Sequence, residues 1–166
     1  MKRKHLHLLW IIALALPFLT ACKDDKEIPA PSNTELLEAH EWKGDQLLVM
    51  GINVSETGVN PGSIPDIKTT RLTFKKDNTY IAKNGSGPMM EGKWRFNADE
   101  TKININFLGL SEFDVKELDE ENLNLGTSIP KSQLVLLASI LNIELGIINM
   151  FPDGTEFEIE LRFIKP

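Results

Sequence analysis

Apolar side chains fall at every second position over long stretches of this chain. The clearest stretch is the last, where Phe157, Ile159, Leu161 and Phe163 alternate with Glu156, Glu158, Glu160 and Arg162. That period of two belongs to a strand with one buried and one wet face. Met90, Gly92, Trp94 and Phe96 alternate with Glu91, Lys93, Arg95 and Asn97, and Ile103, Ile105 and Phe107 alternate with Asn104 and Asn106. The turn-rich run Ala98-Asp99-Glu100-Thr101 between them predicts a hairpin. A second hairpin joins Leu72 and Phe74 to Tyr80 and Ala82 through Lys75-Lys76-Asp77-Asn78. A third joins Phe113, Val115 and Leu118 to Leu123 and Leu125 through Asp119-Glu120-Glu121. A first strand around Gln46 to Met50 and the last strand bring the number to eight. Short polar turns and no crossover helices predict a mainly β fold, an eight-stranded antiparallel up-and-down barrel, whose closure removes exposed edges.

Three segments have other patterns. A short opening helix is expected, capped by Asn33 or Thr34, with Glu35 and Glu38 in its first turns, Leu36, Leu37 and His40 along it, and an end before Gly44. Gly51 to Asp66, with Gly58, Pro61, Gly62 and Pro65, predicts a long loop at one barrel end. Lys131 to Met150 predicts a helical insert before the last strand: Leu134, Leu137, Ala138, Leu141, Leu145 and Ile148 share one face, with a narrow polar stripe of Ser139, Asn142, Gly146 and Asn149. Such a helix would lie across a barrel mouth. The competing pattern makes Leu145 to Phe151 a strand that turns through Pro152-Asp153-Gly154 into the last one.

The beginning of the chain has a different organisation. Lys2, Arg3 and Lys4 precede an apolar run from Leu8 to Leu19, then Thr20-Ala21-Cys22. This is the layout of a secretory signal over residues 1–21, and the run is shorter than the roughly 20 residues that span a bilayer. Leu19-Thr20-Ala21-Cys22 resembles the lipobox of bacterial lipoproteins, which implies acylation of Cys22 and attachment to a membrane through that lipid. Cys22 is the one cysteine in the chain, so no internal disulfide can form. Lys23-Asp24-Asp25 resembles the surface-export signal of lipoproteins in the Bacteroidota and points to the cell-surface side of the outer membrane, with the periplasmic face as the alternative. Residues 22–33, with Pro29, Pro31 and Ser32, read as a lipidated tether. At about 3.3 Å per residue it reaches roughly 36 Å. Residues 34–166 are left as the folded domain.

Loss of residues 1–21 removes three positive charges and no acids, taking the formal net charge from −6 to −9. So acidic a chain is not expected to bind nucleic acid, which needs clustered lysine and arginine.

Glu41-Trp42-Lys43, the run from Leu72 to Tyr80, and Gly92-Lys93-Trp94, taken together, resemble the lipocalin-like domains of Bacteroidota lipoproteins over roughly Glu35 to Lys165. In that family a strand ends in a Phe-polar-polar-Asp turn before an aromatic, and a Gly-x-Trp strand follows. The 131–150 insert departs from the simple pattern. The resemblance implies a barrel and, by analogy, a binding role.

Chemistry beyond binding is sparse in the sequence. The mature chain holds one histidine, His40, and there is no GxGxxG, phosphate loop or HExxH. Neither catalysis nor a metal or cofactor is expected. Glu156, Glu158 and Glu160 read as the solvated side of a strand. For ligand binding the expected residues are the inward aromatics and soft side chains Phe74, Tyr80, Met90, Trp94 and Phe96. Two functions remain open: a barrel holding a small apolar or amphipathic ligand, or an envelope module with a filled core that contacts another protein or a glycan. A Cys22→Ala variant is expected to leave the membrane fraction for the soluble fraction on cell fractionation. Unchanged attachment would remove the lipid anchor from this account.

Overall fold

Ser32 starts the first described element. Its Oγ accepts the Glu35 N–H at 3.2 Å and the Glu35 carboxylate accepts the Ser32 N–H at 2.8 Å, a reciprocal capping box for helix α1 (Asn33–Glu38). The cap therefore lies at Ser32 and not at Asn33 or Thr34. Those two side chains reach sideways instead, donating to the Glu100 carbonyl at 3.3 Å and to the Glu100 carboxylate at 3.1 Å. His40 lies beyond the helix, its ring 4.2 Å from that of Trp42. The computed structural model describes residues 29–55, 67–85, 87–140 and 150–166. The signal segment, Cys22, most of the tether, residues 56–66 and residues 141–149 lie outside these. So does the competing strand at Leu145 to Phe151, except Met150 and Phe151, which are not in a strand.

The described residues contain nine strands: β1 (Glu41–Val49), β2 (Ile52–Asn53), β3 (Thr70–Phe74), β4 (Thr79–Asn84), β5 (Gly87–Phe96), β6 (Lys102–Phe107), β7 (Leu110–Leu118), β8 (Asn122–Pro130) and β9 (Glu156–Ile164). From β3 to β9 each pairs antiparallel with the next, and β9 also pairs with β1 through Leu47↔Leu161 and Val49↔Ile159. With β1 paired to β3, eight strands close into the expected antiparallel barrel, and β2 is an extra strand on β1.

The first strand begins five residues before the expected Gln46. Trp42 decides this: it is fully buried, and its indole N–H donates to the Leu37 carbonyl at 3.0 Å. The small β2 forms inside the segment expected to be loop. Met50 and Gly51, with φ of 51° and 76°, make a tight two-residue turn, and the hairpin follows.

Three turns at the α1 end share one device. Asp77 accepts from the N–H and hydroxyl of Thr79 at 3.0 and 2.5 Å, and Asp99 does the same for Thr101 at 3.3 and 2.7 Å. Asp119 accepts from the N–H of Glu121 and of Asn122, both at 2.7 Å. These bonds hold all three carboxyls below the usual carboxylate range.

Inside, Trp42, Leu72, Phe74, Tyr80, Trp94, Ile103, Phe113, Leu123, Leu125 and Phe163 belong to one apolar cluster. A second cluster lies toward the other end, where helix α2 (Lys131–Ile140) follows Pro130 directly and sets Leu134 and Leu137 against Ile129, Phe157 and Ile159. The expected insert is thus helical over its described part. None of the described helices is long and apolar enough to cross a membrane.

Gly44 exists for a close approach. A Cβ there would lie 1.9 Å from the Ile67 carbonyl oxygen, in the 3-10 turn Ile67–Thr69 that packs against β1. Gly44→Ala is expected to cost about 1–3 kcal/mol through overpacking, read as a lower urea midpoint at unchanged slope. Ser32→Ala, which breaks only the cap, is expected to cost about 1 kcal/mol.

Candidate functional site

The five side chains expected to bind a ligand come from three adjacent positions in the sheet, and four of them are in ring contact. Phe74 on β3 lies 6.3 Å from Tyr80 on β4 and 5.7 Å, edge on, from Trp94 on β5; Trp94 lies 5.7 Å, again edge on, from Phe96. Met90 joins them, its sulfur 3.6 Å from the Tyr80 hydroxyl. Phe74, Tyr80 and Trp94 are buried, whereas Met90 in the first half of β5 and Phe96 at its end are only partly so.

The polar atoms of this cluster are already engaged. The Tyr80 hydroxyl donates to the carbonyl of Asn106 on β6, and the Trp94 indole N–H donates to the Lys75 carbonyl at 3.2 Å. Tyr80 spans from β4 to β6 because Gly92 lies between: a Cβ there would come within 2.9 Å of the tyrosine ring. Burial raises the Tyr80 pKa, so the phenol stays a neutral donor. The two polar hydrogens therefore act as internal staples, and the rings serve as each other's packing partners.

A different opening lies in the barrel wall. The β7–β8 ladder runs from Leu118↔Leu123 to Asp114↔Gly126 and stops there. Beyond it the strands bound a groove of about 420 Å³, within the usual size range of ligand pockets, lined by Leu110, Ser111, Glu112, Thr127, Ser128 and Ile129 among others. Lys102 stands on its rim, its Nζ 2.9 Å from Glu112 and 3.6 Å from Asp114. A β7 bulge lies two pairs before the end of the ladder: register shifts between Val115 and Glu117, and Lys116 lies across Gly126, where a Cβ would meet its Cε at 2.4 Å. The Lys116 ammonium sits 3.8 Å from Asp114 and 3.7 Å from Glu158.

The groove residues escaped the sequence reading because alternation alone does not show where two strands part. The one available signal was Gly126, a glycine inside an otherwise regular strand pattern, which marks a bulge or a close approach. Glu156, Glu158 and Glu160 lie on the outer face as expected. They contact Ser128 at 3.3 Å, Lys116, and Arg162 at 2.6 Å respectively.

No protein-family model matches the chain, and no curated protein is significantly similar to it in sequence.

His40 is the one titratable group with an orphaned atom among the described residues: its Nε2 is buried without a hydrogen-bond partner. Burial lowers its pKa from the ordinary 6.5, Lys165 lowers it further, and Glu121 opposes. The folded chain therefore releases this proton at a pH where the unfolded chain still holds it. Stability from neutral His40 is complete above about pH 6.5 and declines as pH falls through the lowered folded value. In His40→Phe, which keeps the ring contact with Trp42, the fall in urea midpoint between about pH 6.5 and 5, above most carboxylate titration, is expected to flatten. An unchanged slope would place its origin elsewhere.

Proposed function

We propose that this chain is an envelope lipoprotein whose barrel is an interaction module: a lipid on Cys22 holds it at the outer membrane, on the cell-surface side, and it engages its partner from the outside of the wall, at the β7–β8 groove. The observation that carries this reading is the mutual packing of Phe74, Tyr80, Trp94 and Phe96 with both polar hydrogens used internally. A container would leave such a polar handle facing its ligand. The groove has what the interior lacks, charged and hydroxyl side chains with no apolar ring among them. Catalysis forms no part of the proposal: the single mature-chain histidine lies tilted against Trp42, remote in sequence from every groove residue. The acidic balance disfavours nucleic acid.

A second reading, a small apolar or amphipathic ligand inside the barrel as the lipocalin-like resemblance implies, is favoured by one observation. Met90 and Phe96 are inward yet only partly buried, so either end of the aromatic row has a side chain a ligand could displace. Native mass spectrometry of protein purified from its own envelope separates the two. The filled-core module is expected to carry no small molecule beyond its N-terminal lipid. A retained apolar compound, lost on Phe74→Ala, would establish the container instead.

A further inference from the structure

The groove between β7 and β8 has two walls of the same kind, and both are strand edges. Leu110 to Phe113 lies in β7 and is backed by β6 through Phe113↔Ile103 and Glu112↔Asn104 and, across a register shift, through Leu110↔Phe107. Thr127 to Pro130 stays extended because its far side is paired with β9, through Thr127↔Ile159 to Pro130↔Glu156. Neither stretch is paired with the other. Each is thus a half-ladder about four residues long, held rigid from behind. Strand edges of this kind recruit another extended backbone.

Building on the interaction-module reading, we infer that the groove binds an extended peptide segment of a partner protein, which completes the interrupted sheet as an added strand. Three features specify the ligand. Its length is about four to five residues, since each wall offers four and a strand advances about 3.3 Å per residue. Its side chains alternate: those pointing inward meet Leu110 and Ile129, which belong to or pack on the apolar cluster under α2, so they are apolar. Those pointing outward meet Glu112, Ser128 and Lys102, the lysine already matched by two carboxylates, so they are polar and not strongly charged. Its direction is antiparallel to β7. A strand added between two antiparallel neighbours runs parallel to one of them, and the better antiparallel bonds go to the wall whose four residues all carry an N–H, whereas β8 ends in Pro130.

An oligosaccharide is the competing occupant for a groove lined by carboxylates and hydroxyls. It is the poorer match because none of the described lining residues is aromatic, which leaves no ring for a sugar to stack on.

The test uses the full mature chain in detergent, with amide resonances assigned by NMR. The probe is a pool of capped heptapeptides that alternate Val, Ile or Leu with Thr, Ser or Gln. Binding is expected to move the amides of Leu110 to Phe113 and of Thr127 to Ser128, and to slow their hydrogen exchange. The same pool N-methylated at alternate backbone nitrogens is expected to bind at least about ten-fold more weakly, because it loses several ladder hydrogen bonds. Equal binding of the methylated pool, or shifts confined to other residues, overturns the added strand. If a panel of neutral oligosaccharides moves the groove amides and the peptides do not, the peptide is wrong and the interaction-module reading stands. If neither probe moves them, both are wrong. Ser111→Trp and Ser128→Trp, exposed positions on opposite walls, are each expected to abolish peptide binding while leaving the urea midpoint unchanged from the parent, as surface substitutions usually do.

Discussion

β9 has neighbours on both sides, and the barrel depends on that. It pairs along nearly its whole length with β8, from Asn122↔Ile164 to Pro130↔Glu156, and with β1 from Lys43↔Ile164 to Val49↔Ile159. The chain's last strand thereby joins its first, and the sheet has no free long edge at that seam. Closure constrains side chains as well as backbones. With a period of two and a closed circuit, every inward position on β9, from Phe157 to Phe163, must be filled from across the barrel. The apolar residues of α2 do this at one end, and Phe107 does it near the other, its ring 6.5 Å from Phe163. Fully burying a side chain of this size contributes about 1.5–3 kcal/mol, so the interior is where the fold gains most of its stability.

That same filling shapes the interior. Eight strands enclose only enough room for their own side chains or one small ligand, and here the aromatics of β3, β4 and β5 have turned toward one another. Tyr80 takes a backbone carbonyl two strands away, over a glycine that leaves it room. Such an arrangement excludes alternatives by geometry: a side chain at Gly92 would push the ring off Asn106. The proposed site lies instead in the wall, where the β7–β8 ladder stops at Asp114↔Gly126 and leaves two strand stretches unpaired with each other.

Most of this architecture was legible in the sequence because it is local. The three hairpin turns β3–β4, β5–β6 and β7–β8 announce themselves through Asp77, Asp99 and Asp119, and most flanking strands through alternation. The placement of Phe74, Tyr80, Met90, Trp94 and Phe96 in one interior neighbourhood followed from the same period. Features that depend on distant partners were not legible. Trp42 belongs to a strand and not to a helix exit because of what surrounds it, and Ser32 rather than Asn33 is the cap because Asn33 and Thr34 have a better use on Glu100. The hairpin at Met50-Gly51 lacks the usual Asn-Gly or Asp-Gly signal, so it passed for loop.

The groove is the strongest case, since it exists only as a disagreement between two registers. β7 matches β6 as far as Leu110, with one register shift before it, and β8 matches β9 along one edge through Pro130, yet β7 and β8 match each other only as far as Asp114 and Gly126. Each strand taken alone looks regular. Alternation predicts which way a side chain points but carries no information about the spacing between neighbouring strands. The bulge at Lys116 adds one residue to β7 that β8 does not have, and such insertions bend and twist a strand locally. A closed barrel cannot spread that mismatch over a free edge, because both strands are pinned from behind. The mismatch is therefore taken up within the wall, and beyond Asp114 and Gly126 the two strands part around a recess.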